Sequence, residues 1–182
     1  MKTSKDGINL IRYFEGCRTK AYLDSVGVPT IGYGHTKGVK LGTIITESKA
    51  EELLKDDLFY FEQKILDLVK VPLTQNQFDA LVSFTFNVGE GSLGRSTLLK
   101  RLNKVVYYHP RAMASIADEF LKWDKARNPK TGKLEPLAGL TKRRHAERLM
   151  FIDPIKIHDQ IAKIDALAVP KPMIDNPLNE LT

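Results

Sequence analysis

FEGCRTKAYLDSVGVPTIGYGHT, residues 14–36, is where the chain changes character. The residues before it repeat apolar side chains at helical spacing, whereas Tyr22, Val26, Val28, Ile31 and Tyr33 sit among Gly27, Pro29, Gly32, Gly34 and Gly38. A short antiparallel sheet with tight turns follows from that mixture of β-formers and turn formers. Glu15 stands at the junction, Asp24 nine positions later, and Thr30 six beyond that. Gly32 and Gly34 flank Tyr33 and let a ligand approach the backbone closely.

Working outward, residues 4–14 read as a helix capped by Ser4, with Ile8, Ile11 and Phe14 on one face. Gly16 suits the turn after it, which leaves Glu15 in the last helical turn. On the other side, residues 46–70 carry Ala50, Leu53, Leu54, Leu58, Phe61, Ile65 and Leu68 at spacings of three and four. Thr46 opens this longest helix and Pro72 stops it. Thr74 with Gln77 fits a capping box for a helix bearing Phe78, Leu81, Val82 and Val88, ended near Gly89. A short helix is expected over 96–103, and another from Pro110 to Phe120 and Trp123. Residues 128–136, NPKTGKLEP, read as an exposed loop. A further helix enters at Thr141, and residues 155–168 form a last amphipathic one before a proline-containing tail.

Composition is that of a globular protein, with 42% hydrophobic and 27% charged residues among 182. No run reaches the roughly eighteen apolar residues of a membrane span. The N-terminal residues lack the apolar stretch of a signal peptide, so synthesis in the cytoplasm is expected. The lone Cys17 excludes an intramolecular disulfide and reads as a small packing residue. Between residues 95 and 148, fourteen Lys and Arg oppose five Asp and Glu, a net +9 suited to a polyanion. No second His or Cys stands near His35 at metal-ligand spacing, and we read that histidine as a structural hydrogen-bonding residue.

Two carboxyl groups on separate elements are the minimum for acid/base cleavage of a glycosidic bond. Taken alone, Asp24 is a turn former, Glu15 a surface acid and Thr30 a strand residue. The whole string E-x8-D-x5-T-x-G-x-G-H, however, resembles the active-site signature of the phage-type lysozymes, the muramidase family that includes phage endolysins. LTQNQFDALVSFTFNVG and GLTKRRHAERL resemble the family's second and third blocks, in the right order.

The resemblance implies an α+β, mostly helical, two-lobed lysozyme fold with a three-stranded antiparallel sheet. Residues 1–152 would form the lysozyme domain, with its small lobe at about 14–60, and residues 153–182 an additional C-terminal segment. It implies Glu15 as general acid, with Asp24 and Thr30 holding the attacking water. Gly34, Thr36 and Phe86 would meet the substrate, although Phe86 reads equally well as a core residue. His35 and Arg144 would support the site; an arginine of the third block pairs with the glutamate in this family, Arg144 matching best and Arg143 next. The expected substrate is peptidoglycan, with no metal or cofactor. The expected state is a monomer, released to the wall through a holin, with membrane contact by the C-terminal helix as an option. A wall-binding module without catalysis is the alternative, disfavoured because both acids are present. A nucleic-acid binder is disfavoured because the cations of residues 95–148 follow no recognition motif.

Overall fold

A computed structural model describes residues 1–24, 27–128 and 131–152. The expected helix at 155–168 and the proline-containing tail lie outside the described residues.

Helix α1 (Lys5–Glu15) begins where the sequence predicts, with the Ser4 hydroxyl accepting from the Gly7 N–H. It stops at Gly16, whose φ of 66° lets the chain leave the helix while its N–H still reaches Arg12 O at 3.0 Å. Gly7 is needed for a different reason: a Cβ there would come within 2.7–2.9 Å of Thr3 and Asp79 side-chain atoms. That close approach seats α1 against α3 (Gln75–Val88), where Ser4 donates to Asp79 through both its backbone N–H and its hydroxyl.

The small lobe is built on strands β1 (Arg18–Leu23) and β2 (Pro29–Gly32), antiparallel with Tyr22 opposite Thr30 and Leu23 opposite Pro29. The expected third strand does not form as such. Lys20 bridges Ile44, and β1 exchanges backbone bonds with the 43–45 segment at Ala21–Thr43 and Ile45–Thr19, but the ladder goes no further. Gly38 and Gly42, with φ of 71° and 88°, turn the chain twice where a strand would need to run straight.

Helix α2 (Glu47–Leu68) leads from the sheet to the helical lobe, about 33 Å at the usual rise per residue. The Thr46 hydroxyl caps its start, and the Asn103 side chain closes its end by donating to Leu68 O at 2.8 Å and accepting from Lys70 N at 2.8 Å. Helix α3 is the centre of the large lobe. It carries the predicted capping box of Thr74 and Gln77, and its residues from Gln77 to Thr85 are buried in one unbroken run. Around it pack α1, α2 and α7 (Ala138–Ile152), with a core that includes Leu10, Leu58, Phe78, Leu81, Phe84, Phe120 and Phe151.

Between α3 and α7 come α4 (Glu90–Arg95), α5 (Thr97–Leu102) and α6 (Pro110–Ala117). The helix expected to run from Pro110 to Trp123 is divided. It loosens at Asp118–Glu119 and tightens into a 3-10 turn at Phe120–Trp123, where Trp123 packs edge-on against Phe84 at 5.5 Å. The 128–136 loop is a correction of another kind: β3 (Lys125–Arg127) and β4 (Leu134–Pro136) pair antiparallel around it. Three-residue strands are too short for a period-2 pattern to register in the sequence.

Candidate active site

Glu15 is the last residue of α1, so its side chain leaves the helix at the junction of the two lobes. It opens on a cleft of about 710 Å³ lined also by Gly34, His35, Thr36 and Lys37 from the small lobe, Asp56, Asp57, Tyr60 and Phe61 from α2, and Phe86 and Asn87 from α3. Four of the residues singled out from the sequence, Gly34, His35, Thr36 and Phe86, therefore share one surface with Glu15. Phe86 is half-buried and serves two ends, since its ring packs edge-on against Phe61 at 5.3 Å while bordering the cleft.

The partner of Glu15 is Arg143, which corrects the assignment to Arg144. Arg143 Nη1 donates to Glu15 Oε1 at 2.5 Å, Nε donates to Glu147 Oε1 at 3.1 Å, and Nη2 donates to Ser83 O at 3.0 Å. Arg144 turns elsewhere. It is fully buried, its guanidinium lies 4.9 Å from the Phe84 ring, and Nη2 donates to Asn87 Oδ1 at 2.9 Å. Burial pushes the Arg144 guanidinium down to about 10, against the upward pull of Glu147. The two arginines are adjacent on α7, some 100° apart around its axis, so only tertiary packing decides which of them faces α1.

Asp24 and Thr30 are placed by the β1–β2 turn and are not among the described residues lining the cleft volume. Asp24 shapes that turn: its N–H donates to Val28 O at 3.0 Å and its Oδ1 accepts from Val28 N at 2.8 Å. Thr30 is only 4% exposed, and its hydroxyl donates to Val28 O at 2.9 Å. That bond uses the one hydroxyl proton, so toward a water Thr30 can act only as acceptor. Tyr22, opposite Thr30 in the ladder, senses both Glu15 and Asp24. Burial, chiefly, raises its phenol above the usual value; Arg18 opposes this, and the carboxylates of Glu15 and Asp24 both add to it. Both acids thus act on one hydroxyl.

His35 holds the small lobe to α2. Its Nδ1 lies 2.9 and 3.0 Å from the two oxygens of Asp57, and its Nε2 lies 2.9 Å from Lys37 O. Nothing in the sequence sets Asp57 apart from Glu51, Glu52 and Asp56, its acidic neighbours on the same helix. The signal for Glu147 was stronger: KRRHAE places it three and four residues after the two arginines, one turn along the same helix face. Among the described residues no group of His, Cys, Asp and Glu is arranged to hold a metal ion, and no helix is long and apolar enough to cross a membrane.

The phage lysozyme family model matches residues 12–147. The chain is 44% identical over 157 residues to the endolysin of Salmonella phage P22, covering 84% of this chain and 99% of that one. It is 43% identical over 151 residues to the endolysin of Acyrthosiphon pisum secondary endosymbiont phage 1, covering 83% and 98%. Among solved structures, the muramidase domain of SpmX from Asticaccaulis excentricus superposes with a TM-score of 0.76 at 38% identity, covering 84% of this chain and 99% of that domain. With an acid at the end of its first helix, an arginine brought to it from its last, and this similarity along nearly the whole described chain, the protein belongs to the phage lysozyme family.

Proposed function

We propose that the protein is an endolysin that hydrolyses the β-1,4 bond between N-acetylmuramic acid and N-acetylglucosamine in bacterial peptidoglycan. The observation that carries this reading is the placement of Glu15, whose carboxyl opens on the interlobe cleft while Arg143 fixes one of its oxygens. Glu15, protonated, gives its proton to the glycosidic oxygen as the C–O bond breaks. A water then bonds to the anomeric carbon from the opposite face of the sugar and passes its proton to Asp24. Thr30 Oγ accepts a hydrogen bond from the water's other O–H, which stays on the product as its anomeric hydroxyl; accepting is the role its bond to Val28 O leaves it. One water is consumed, two sugar ends are formed, and configuration is inverted.

Phe86, Gly34 and Thr36 form the wall along which the glycan lies, with His35 keeping that wall in place. Release to the wall would pass through a holin, and the enzyme would act as a monomer. Residues 1–152 constitute the catalytic domain, with residues 153–182 an addition to it.

Purified cell walls provide the test. Wild type should clear a wall suspension and release new reducing ends, and Glu15→Gln should do neither. Proton NMR of the first product should show the α-anomer before mutarotation. Clearing without new reducing ends would overturn the glycosidase reading, and a β-anomer formed first would overturn the water-mediated attack.

A further inference from the structure

We infer that Glu147, a side chain that no substrate can reach, is a positioning residue that aims two cleft residues at once. The inference rests on the proposed glycosidase reading, because it concerns how Glu15 is held.

Glu147 lies on α7 with no exposed surface. Its Oε1 accepts from Ser83 Oγ at 2.8 Å, Arg143 Nε at 3.1 Å and Arg144 Nη2 at 3.2 Å. Its Oε2 stands 3.0 Å from Arg144 Nε as an ion pair without hydrogen-bond geometry. Each guanidinium is thereby held by Glu147 and also reaches outward, Arg143 through Nη1 and Arg144 through the same Nη2 that meets Glu147. Arg143 reaches Glu15, and Arg144 reaches Asn87; both of those residues line the cleft. The route from the buried carboxylate to the cleft is therefore one side chain long in two directions.

The arrangement is costly, which argues that it does more than fill space. Burial pushes the Glu147 carboxyl upward, while Arg144 and Arg143 pull it down. Buried ion clusters of this sort are often no more stable than well-packed apolar replacements. What apolar residues could not do is fix the direction of two guanidinium groups. Without Glu147, the adjacent buried cations of Arg143 and Arg144 would lose the buried carboxylate that both now contact. Arg143 would then swing from Glu147 and Ser83, and Glu15 would move with it. A displacement of about 1 Å at a reacting group costs on the order of 10²-fold in rate.

The test uses the full chain with soluble wall fragments and two variants. Glu147→Gln keeps shape and removes charge. Ser83→Ala removes one hydrogen bond to Glu147 and disturbs folding less. We expect kcat per folded molecule to fall by about 10²-fold in Glu147→Gln and in the same direction, by less, in Ser83→Ala. The Arg143 Nε–H resonance should move upfield in Glu147→Gln, because a charged acceptor is replaced by a neutral one. If Glu147→Gln does not fold, Ser83→Ala decides alone. Unchanged kcat per folded molecule, with only the melting temperature lowered, would overturn the positioning role. Glu15→Gln run in parallel separates the two readings: hydrolysis surviving in that variant overturns the general-acid reading itself, whatever Glu147 does.

Discussion

Arg143 Nη1 holds Glu15 Oε1 at 2.5 Å across 128 residues of sequence, and the bond ties the end of α1 to α7. The cation remains bound to Glu147 and Ser83 O whatever stands at position 15. Glu15→Gln should therefore lower wall hydrolysis by at least about 10²-fold, the scale of general-acid catalysis. Its cost in stability should stay near 1 kcal/mol, a Tm change of roughly 2–4 °C for a chain of this size. Calorimetry and reducing-end release on the same sample separate the two effects.

Thr30→Val preserves volume and β-branching in a strand where the residue is 4% exposed. It removes one of the two hydrogen bonds that Val28 O accepts, the other coming from Asp24 N–H, so the loss should stay at about 0.5–1.5 kcal/mol. Activity should fall far more than folded fraction does, because the hydroxyl that accepts from the attacking water is gone. Serine at this position, which restores the hydroxyl, should recover part of the rate. Equal rates for valine and serine variants would remove Thr30 from the mechanism.

Asp57→Asn keeps a polar group beside His35 but removes the charge that faces Nδ1. A hydrogen bond involving a charged group contributes about 1.5–3 kcal/mol, and we expect a loss at the lower end because Asp57 is partly exposed. The loss should be local. Amide exchange should quicken at residues 34–37 while α3 amides keep their protection.

Acid provides a fourth test, through Glu119. Burial alone would raise this carboxyl, but Lys122 and Arg101, each 2.7 Å away, together hold it below its ordinary 4.5. A depressed folded value means that the ion pairs stabilise the protein above pH 4.5 and that this stability is lost as pH falls through the folded value. Glu119→Gln should accordingly be less stable than wild type at neutral pH, with the gap closing as pH falls below 4.5 and through the depressed folded value. A gap that stayed constant with pH would assign the loss to packing instead.

Much of this architecture is legible in the sequence where the determinants are local. Ser4, Thr46 and Thr74 each cap the helix they announce, because a side-chain oxygen and an N–H three residues away need no tertiary help. Helix α4 and the β3–β4 hairpin were not legible, being shorter than the window over which periodicity can be counted. Choosing between Arg143 and Arg144 needed the rotation of α7 about its axis, which packing against α3 sets. The net +9 of residues 95–148 also reads differently in three dimensions. Arg143 and Arg144 are buried beside Glu147, which takes one net positive charge off the surface, while Glu119 and Asp118, the partners of Arg101, Lys122 and Arg148, are already subtracted in that total.

Helix α1 leads the chain, yet it rests on α3 and, less extensively, on α7. The large lobe is thus assembled from both ends of the described chain. On the ribosome α1 must wait, its apolar face uncovered, until α3, its main partner, has emerged. A circular permutant in which residues 1–15 follow residue 152 would make that lobe contiguous and spare it the long loop that must otherwise close. The order of synthesis and the order of assembly are, in this fold, two different orders.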